Sequence, residues 1–308
     1  MAVRRFAFLA AVLFAGLSAC KDQRAETSSG AKLWEAFSGQ KAFEHVQRLV
    51  DFGPRPPASE AIEKSRAYIV KQLEQSGWTV AQQEFTDDTP RGKIRFVNLI
   101  ANFRAAGRAK ENATFLVCSH YDTKTFDSIQ FVGANDGGSS TGALIELARV
   151  LALQPALATR IQLVFFDGEE AYENFTATDG LYGSRYFAAH LPSKEQFRGG
   201  ILLDMMGDRS LRITLSPNSP AQLARDIFAS AEALKLREHF TYFVSDIMDD
   251  HTPLNAAGIS TIDLIDFEYP PWHTAGDTMD KVSAESLQTV GAVTAYYLSE
   301  FAFKEQSQ

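Results

Sequence analysis

Acidic and imidazole side chains recur in this sequence just after its most apolar runs. Residues 114–118 run into Ser119-His120-Tyr121-Asp122, and Asn135-Asp136-Gly137-Gly138 stands just ahead of a helix-patterned stretch. Residues 161–166 lead to Asp167-Gly168-Glu169-Glu170, and residues 200–203 lead to Asp204. Asp249-Asp250-His251 and Trp272-His273-Thr274 complete the set. Singly these are weak signals. A lone His-x-Asp or Glu-Glu pair is ordinarily a solvated surface feature, and a lone Asp after a strand is usually a turn former. Jointly they converge in space if the apolar runs are neighbouring strands. Converging carboxylates repel one another and are costly to desolvate, so they call for a cation. Imidazole plus carboxylate, without thiolate, suits zinc at a catalytic site with an open position. Adjacent residues in an extended turn point in different directions. One of Glu169 and Glu170 can therefore bind metal while the other faces the open position as a base.

The elements that must position these groups follow from periodicity. Apolar residues recur at helical spacing over 33–50 and 60–76, and segments 78–85 and 94–103 alternate as paired strands around a Pro-Arg-Gly turn. From residue 114 onward the pattern becomes strand, loop, helix. Strands are expected at 114–118, 161–166, 200–203, 212–215 and 259–265, and helices at 139–153, 181–191, 221–236 and 283–303. Fully apolar runs such as 161–166 belong in the middle of a sheet. This order predicts an α/β fold with a mixed, mostly parallel central sheet and helices on both faces. Active sites of such sheets lie at the carboxyl ends of the strands.

The order His120-x-Asp122, Asp136, Glu169-Glu170, Asp204, His273 resembles the zinc aminopeptidases with a phosphorylase/hydrolase-like fold, over about residues 40–303. Residues 119–124, 165–172, 179–185, 249–253 and 272–274 look more like one branch, the glutaminyl cyclases. The resemblance implies that Asp136, Glu170 and His273 hold one zinc ion and that Glu169 shuttles a proton. It implies that Asp204 and Asp249 form an acidic network with Glu169, that Trp272 walls the substrate pocket, and that His120 stays off the metal. It also implies a cis peptide between Asp136 and Gly137. Ser119 and Thr141 occupy the places of a disulfide found in the animal enzymes. Phe175 and Met248 stand where Trp and Gln are common, and Ile247 is a further candidate neighbour of Trp272 in the substrate wall. The expected reaction is conversion of an amino-terminal glutamine of a peptide or protein to pyroglutamate, with release of ammonia. A zinc aminopeptidase is the alternative, with His120 and Asp204 as ligands of a second metal. A non-catalytic binding lipoprotein on a relic fold is a third reading, and retention of both Glu169 and Glu170 argues against it.

The chain has 308 residues, 45% of them apolar, and a net charge of −8. That suffices for one large core, and the acidic balance argues against nucleic acid as a partner. Arg4 and Arg5 precede an apolar run over 6–17, too short to span a membrane, and Leu17-Ser18-Ala19-Cys20 resembles a bacterial lipobox. The expected organisation is a signal peptide at 1–19, a lipidated Cys20 with a polar tether over 20–32, and a single catalytic domain over 33–308. The protein is then an exported lipoprotein of the bacterial cell envelope, periplasmic or anchored in the outer membrane. A lipid on Cys20 is its sole membrane contact, and a monomer is expected. Cys118, left without an intramolecular partner, is expected to be a buried free thiol.

Overall fold

The computed structural model describes Met1 and residues 32–104, 114–191 and 197–304. The expected signal peptide beyond Met1, Cys20 and all of the tether except Lys32 lie outside the described residues. By its contacts the chain divides at Gly30, and Ala31–Gln308 is the unit that holds every element below.

Strand formation follows the apolar runs. β1 (Trp78–Thr89) and β2 (Gly92–Phe103) pair antiparallel through a two-residue turn, with Thr89 opposite Gly92. β3 (Thr114–His120), β4 (Ile161–Phe166), β5 (Phe197–Asp204) and β8 (Thr261–Ile265) are the central strands, and β6 (Ile213–Leu215) and β7 (Phe240–Tyr242) close one edge. The sheet order is β1-β2-β4-β3-β5-β8-β6-β7. The β4–β3, β3–β5 and β5–β8 pairs are all parallel, so four carboxyl ends share one edge of the sheet. This is the mixed α/β architecture expected from the sequence.

Alternation along the central strands feeds two cores. Phe115, Val117, Leu163, Phe165, Ile201 and Leu203 face one side. There they pack with α2 (Gly39–Val50), α3 (Glu60–Gln75), α4 (Gly138–Leu151), α7 (Ala221–Ala233) and α9 (Ala284–Glu300). Leu116, Cys118, Val164, Phe166 and Leu202 face the other side, against Phe187 of α6 (Tyr182–Ala189) and Leu254 of α8 (His251–Ala256). Cys118 is buried and free, as expected.

The sequence pattern differs from the structure at capped breaks and short elements. The helix expected over 33–50 is two, α1 (Leu33–Ala36) and α2, because the Ser38 hydroxyl accepts the Lys41 N–H at 3.3 Å and starts a new helix. The Ser38 N–H donates to Glu146 of α4 at 2.9 Å and fixes the break against the core. The four-residue α5 (Pro155–Ala158), β7 and α8 are too short to show a period. Among the described residues no helix is long and apolar enough to cross a membrane.

Candidate active site

The shared carboxyl edge of β3, β4, β5 and β8 gathers the acids. His120 ends β3 and Asp204 ends β5; His120 Nε2 lies 3.2 Å from Asp204 Oδ1 and 3.3 Å from Asp136 Oδ1. Asp136 comes from the turn that opens α4. At Gly137 the backbone has φ 69°, and a Cβ there would stand 2.6 Å from the Asp122 carbonyl oxygen, so the turn requires glycine. The turn is braced by Asp277, whose carboxylate accepts the Asn135 N–H at 2.8 Å, the Asp136 N–H at 3.0 Å and the Tyr269 hydroxyl at 2.9 Å. The expected cis bond after Asp136 is corrected: no cis peptide occurs among the described residues, and the positive φ of Gly137 makes the reversal on a trans backbone.

Asp122 is placed differently from the other acids. Its carboxylate accepts the N–H of Glu169 at 3.1 Å and of Glu170 at 3.4 Å, so it anchors the backbone that carries the glutamate pair. From that backbone Glu170 turns toward His273, whose Nε2 lies 3.1 Å from Glu170 Oε2 and 3.4 Å from Asp136 Oδ2. His273 has a left-handed backbone, φ 54°. Its ring stacks on Trp272 at 4.2 Å between centroids and meets the edges of Phe126 and Phe131, each at 5.9 Å. A strained φ held by packing on this scale is a common feature of functional sites.

Two groups of ligand atoms therefore converge, each within 4.8 Å: Asp136–Glu170–His273, and His120–Asp136–Asp204, with Asp136 in both. Asp136 Oδ2 is buried with no hydrogen-bond partner among the described residues, and a cation held by the cluster would satisfy it. Two carboxylates and an imidazole are a donor set that fits zinc with a position left open.

The electrostatics point the same way. Burial, then the charge of Asp249, push the Glu169 carboxyl well above the usual range. Burial, then Asp263 and Asp204, do the same to Asp249. Glu170 is raised by burial and by Asp136, against the pull of His273. Burial also works against ionisation of Asp136, but His120, with His273 and Glu170, outweighs it and the net shift is downward. For His120 burial favours the neutral ring, and the carboxylates led by Asp204 overcome it. The site thus holds more acid than its imidazoles neutralise, and either protons or a metal must supply the difference.

A small pocket opens beside these groups. Asp136, Glu169, Glu170, Asp204, Asp249 and His273 supply its polar wall, and Phe175, Met205, Met248, Ile265, Phe267 and Trp272 the apolar one. Ile247 is not on that surface. It is buried in a cluster with Tyr269 and with Met205 and Ile265 of the pocket lining, while its neighbour Met248 is exposed. Phe267 had no signal in the sequence, because an aromatic two residues past a strand looks like core. Asp277, Tyr269 and Asp263 were equally silent. Ser119 Oγ and Thr141 Oγ1 lie 3.3 Å apart, so the two positions do face each other.

Residues 98–298 match peptidase family M28. A glutaminyl-peptide cyclotransferase of Dictyostelium discoideum is 29% identical over 279 residues, covering 74% of this chain and 76% of that one. The crystal structure of an Acidobacteriales bacterium glutaminyl cyclase superposes with a TM-score of 0.78 at 31% identity, covering 86% of this chain and 95% of that one. A Zn-dependent exopeptidase from Parabacteroides distasonis superposes with a TM-score of 0.76 at 28% identity, covering 86% and 98%.

Proposed function

The chain belongs to peptidase family M28, in its glutaminyl cyclase branch, and from that premise we propose how it acts as a zinc-dependent glutaminyl-peptide cyclotransferase. Its substrates are peptides or proteins with an amino-terminal glutamine, and its products are the pyroglutamyl chain and ammonia. The observation that carries the site assignment is the convergence of Asp136, Glu170 and His273 beside Glu169, at the floor of a pocket with an apolar wall.

Asp136, Glu170 and His273 would hold the metal. Zinc, when bound there, supplies Lewis acidity toward the side-chain amide carbonyl. The substrate's own α-nitrogen attacks the amide carbon, a new C–N bond forms, and the bond to the amide nitrogen breaks. Nucleophile and electrophile sit on one residue, so the attack is intramolecular. Glu169 takes the proton from the α-amine and returns it to the departing nitrogen. Burial and Asp249 hold the Glu169 carboxyl above its usual range, the direction that suits a carboxyl that must donate a proton as well as accept one. Asp204 and Asp249 line the pocket beside Glu169, and Asp249 bears most on its carboxyl after burial. Trp272 and Phe175 keep water from the reacting carbon, and Ile247 packs with Met205 and Ile265 of the same pocket lining.

A second reading has one observation in its favour. His120, Asp136 and Asp204 form a second convergent group, as a two-metal aminopeptidase would require. Metal analysis separates the readings. We expect one zinc per chain, lost in Glu170→Ala and in His273→Ala, because three protein ligands leave no redundancy. Two zinc ions per chain, or full occupancy in either variant, would contradict it.

Location is a further part of the proposal. The Leu17-Ser18-Ala19-Cys20 string supports export, lipidation of Cys20 and residence in the bacterial cell envelope, with the domain on a polar tether.

A further inference from the structure

Arg55 lies between α2 and α3 in the string Phe52-Gly53-Pro54-Arg55, far in sequence from every candidate ligand. Its side chain is fully buried. A buried guanidinium needs acceptors for its planar fork of donors, and charge to oppose its own. Here the acceptors are all backbone carbonyls. Nε donates to Tyr121 O at 3.3 Å, Nη1 to Val132 O at 2.7 Å and Nη2 to Gly133 O at 2.9 Å. The backbone joins in: the Arg55 N–H donates to Thr123 Oγ1 at 2.8 Å, and the Thr123 N–H donates to Arg55 O at 3.2 Å. One residue therefore stitches the end of β3 and the residues just after it, which carry His120 and Asp122, to the segment that leads into Asn135-Asp136. Gly133 lies at the second anchor, with φ 51°, and a Cβ there would stand 2.5 Å from the Asp136 carbonyl oxygen. The acids whose charge bears on Arg55 are Asp277, Asp122 and Asp136, all members of the site or its bracing.

We propose that Arg55 is a positioning residue for the metal site: its fork sets the Asp136 turn against the His120–Asp122 segment before any metal binds. Its charge offsets the repulsion of gathering Asp122, Asp136 and Asp277. The inference rests on the zinc reading above. Charge alone is not enough, because an ammonium is a point donor and cannot hold three carbonyls in one plane. Arg55→Lys therefore keeps the charge and loses the geometry, and Arg55→Met loses both.

The test measures zinc affinity by chelator competition, at fixed pH and well below the melting midpoint, so that only folded protein is read. Melts of the metal-free and zinc-loaded proteins accompany it. Supporting groups around metal ligands typically contribute about 10–100-fold in affinity. Arg55→Lys is expected to weaken zinc binding on the order of 10-fold and Arg55→Met by more, up to the order of 100-fold. Leu73→Ala, in the core face of α3, is the control that lowers the midpoint and leaves the zinc Kd unchanged. If Arg55→Met does not fold, Arg55→Lys decides the matter. A zinc Kd for Arg55→Lys within twofold of the parent, with or without a lower midpoint, overturns the proposal. Failure of the parent itself to bind zinc would instead overturn the zinc reading.

Discussion

Glu169 and Glu170 are neighbours in the chain and stand in different company. Glu170 faces His273 and Asp136 across the ligand cluster, while Asp249 is the charge that weighs most on Glu169. Asp122 makes the division possible by holding both N–H groups, which fixes the turn and sends the two side chains apart. Glu169→Gln preserves size and shape and removes the group that can take up and give back the proton. Activity should fall by about 10²–10⁴-fold, with zinc content and melting midpoint retained. Near-normal turnover in a zinc-loaded Glu169→Gln protein would remove this residue from the mechanism. The acids at strand ends were legible because strand ends are legible: an apolar run followed by Asp, Glu or His marks its own position. Arg55, Asp263 and Asp277 were not. A charged residue gives the same signal in sequence whether water or protein surrounds it, and all three are buried.

Element packing sets how firmly the Asp136 turn is held, because that turn opens α4. Helix α4 is buried along nearly its whole length and crosses α2 closely at Gly142. A Cβ at Gly142 would stand 2.6 Å from Val46 Cγ2 and 2.8 Å from the Ala42 carbonyl oxygen. The side chain could give way, but the backbone oxygen cannot without moving α2. Gly142→Ala should therefore destabilise the fold by about 1–3 kcal/mol despite the better helix propensity of alanine. Chemical denaturation checks this, and a stability equal to or above the parent's would show that the helices separate freely. Helix α3 was read correctly from its period and the central strands from their continuous apolar runs. The split between α1 and α2 was not, because the Ser38 cap sits inside an unbroken apolar pattern and acts through a contact with Glu146, distant in sequence. Nor was α8, whose six residues include only one buried aliphatic position, Leu254.

At the scale of the whole molecule, parallel pairing of β4, β3, β5 and β8 turns scattered sequence signals into one site, with the sheet separating two apolar cores. The lipid proposed on Cys20 is the anchor offered by the sequence, so Cys20→Ser should move the protein from the membrane fraction to the soluble one. Retention in membranes would mean another anchor. The chemistry makes a sharper demand. A cyclase needs the substrate amine neutral, with a free pKa of about 7.7–8.0, and a pocket dry enough to disfavour hydrolysis. The two-metal alternative needs bound water and removes the first residue. Incubation of the purified, zinc-loaded protein with peptides beginning in glutamine, leucine or alanine, followed by mass and ammonia, separates the two. The glutaminyl peptide should lose one ammonia and keep its length while the leucyl and alanyl peptides stay intact; release of free leucine or alanine, with the glutaminyl peptide left uncyclised, would contradict the account.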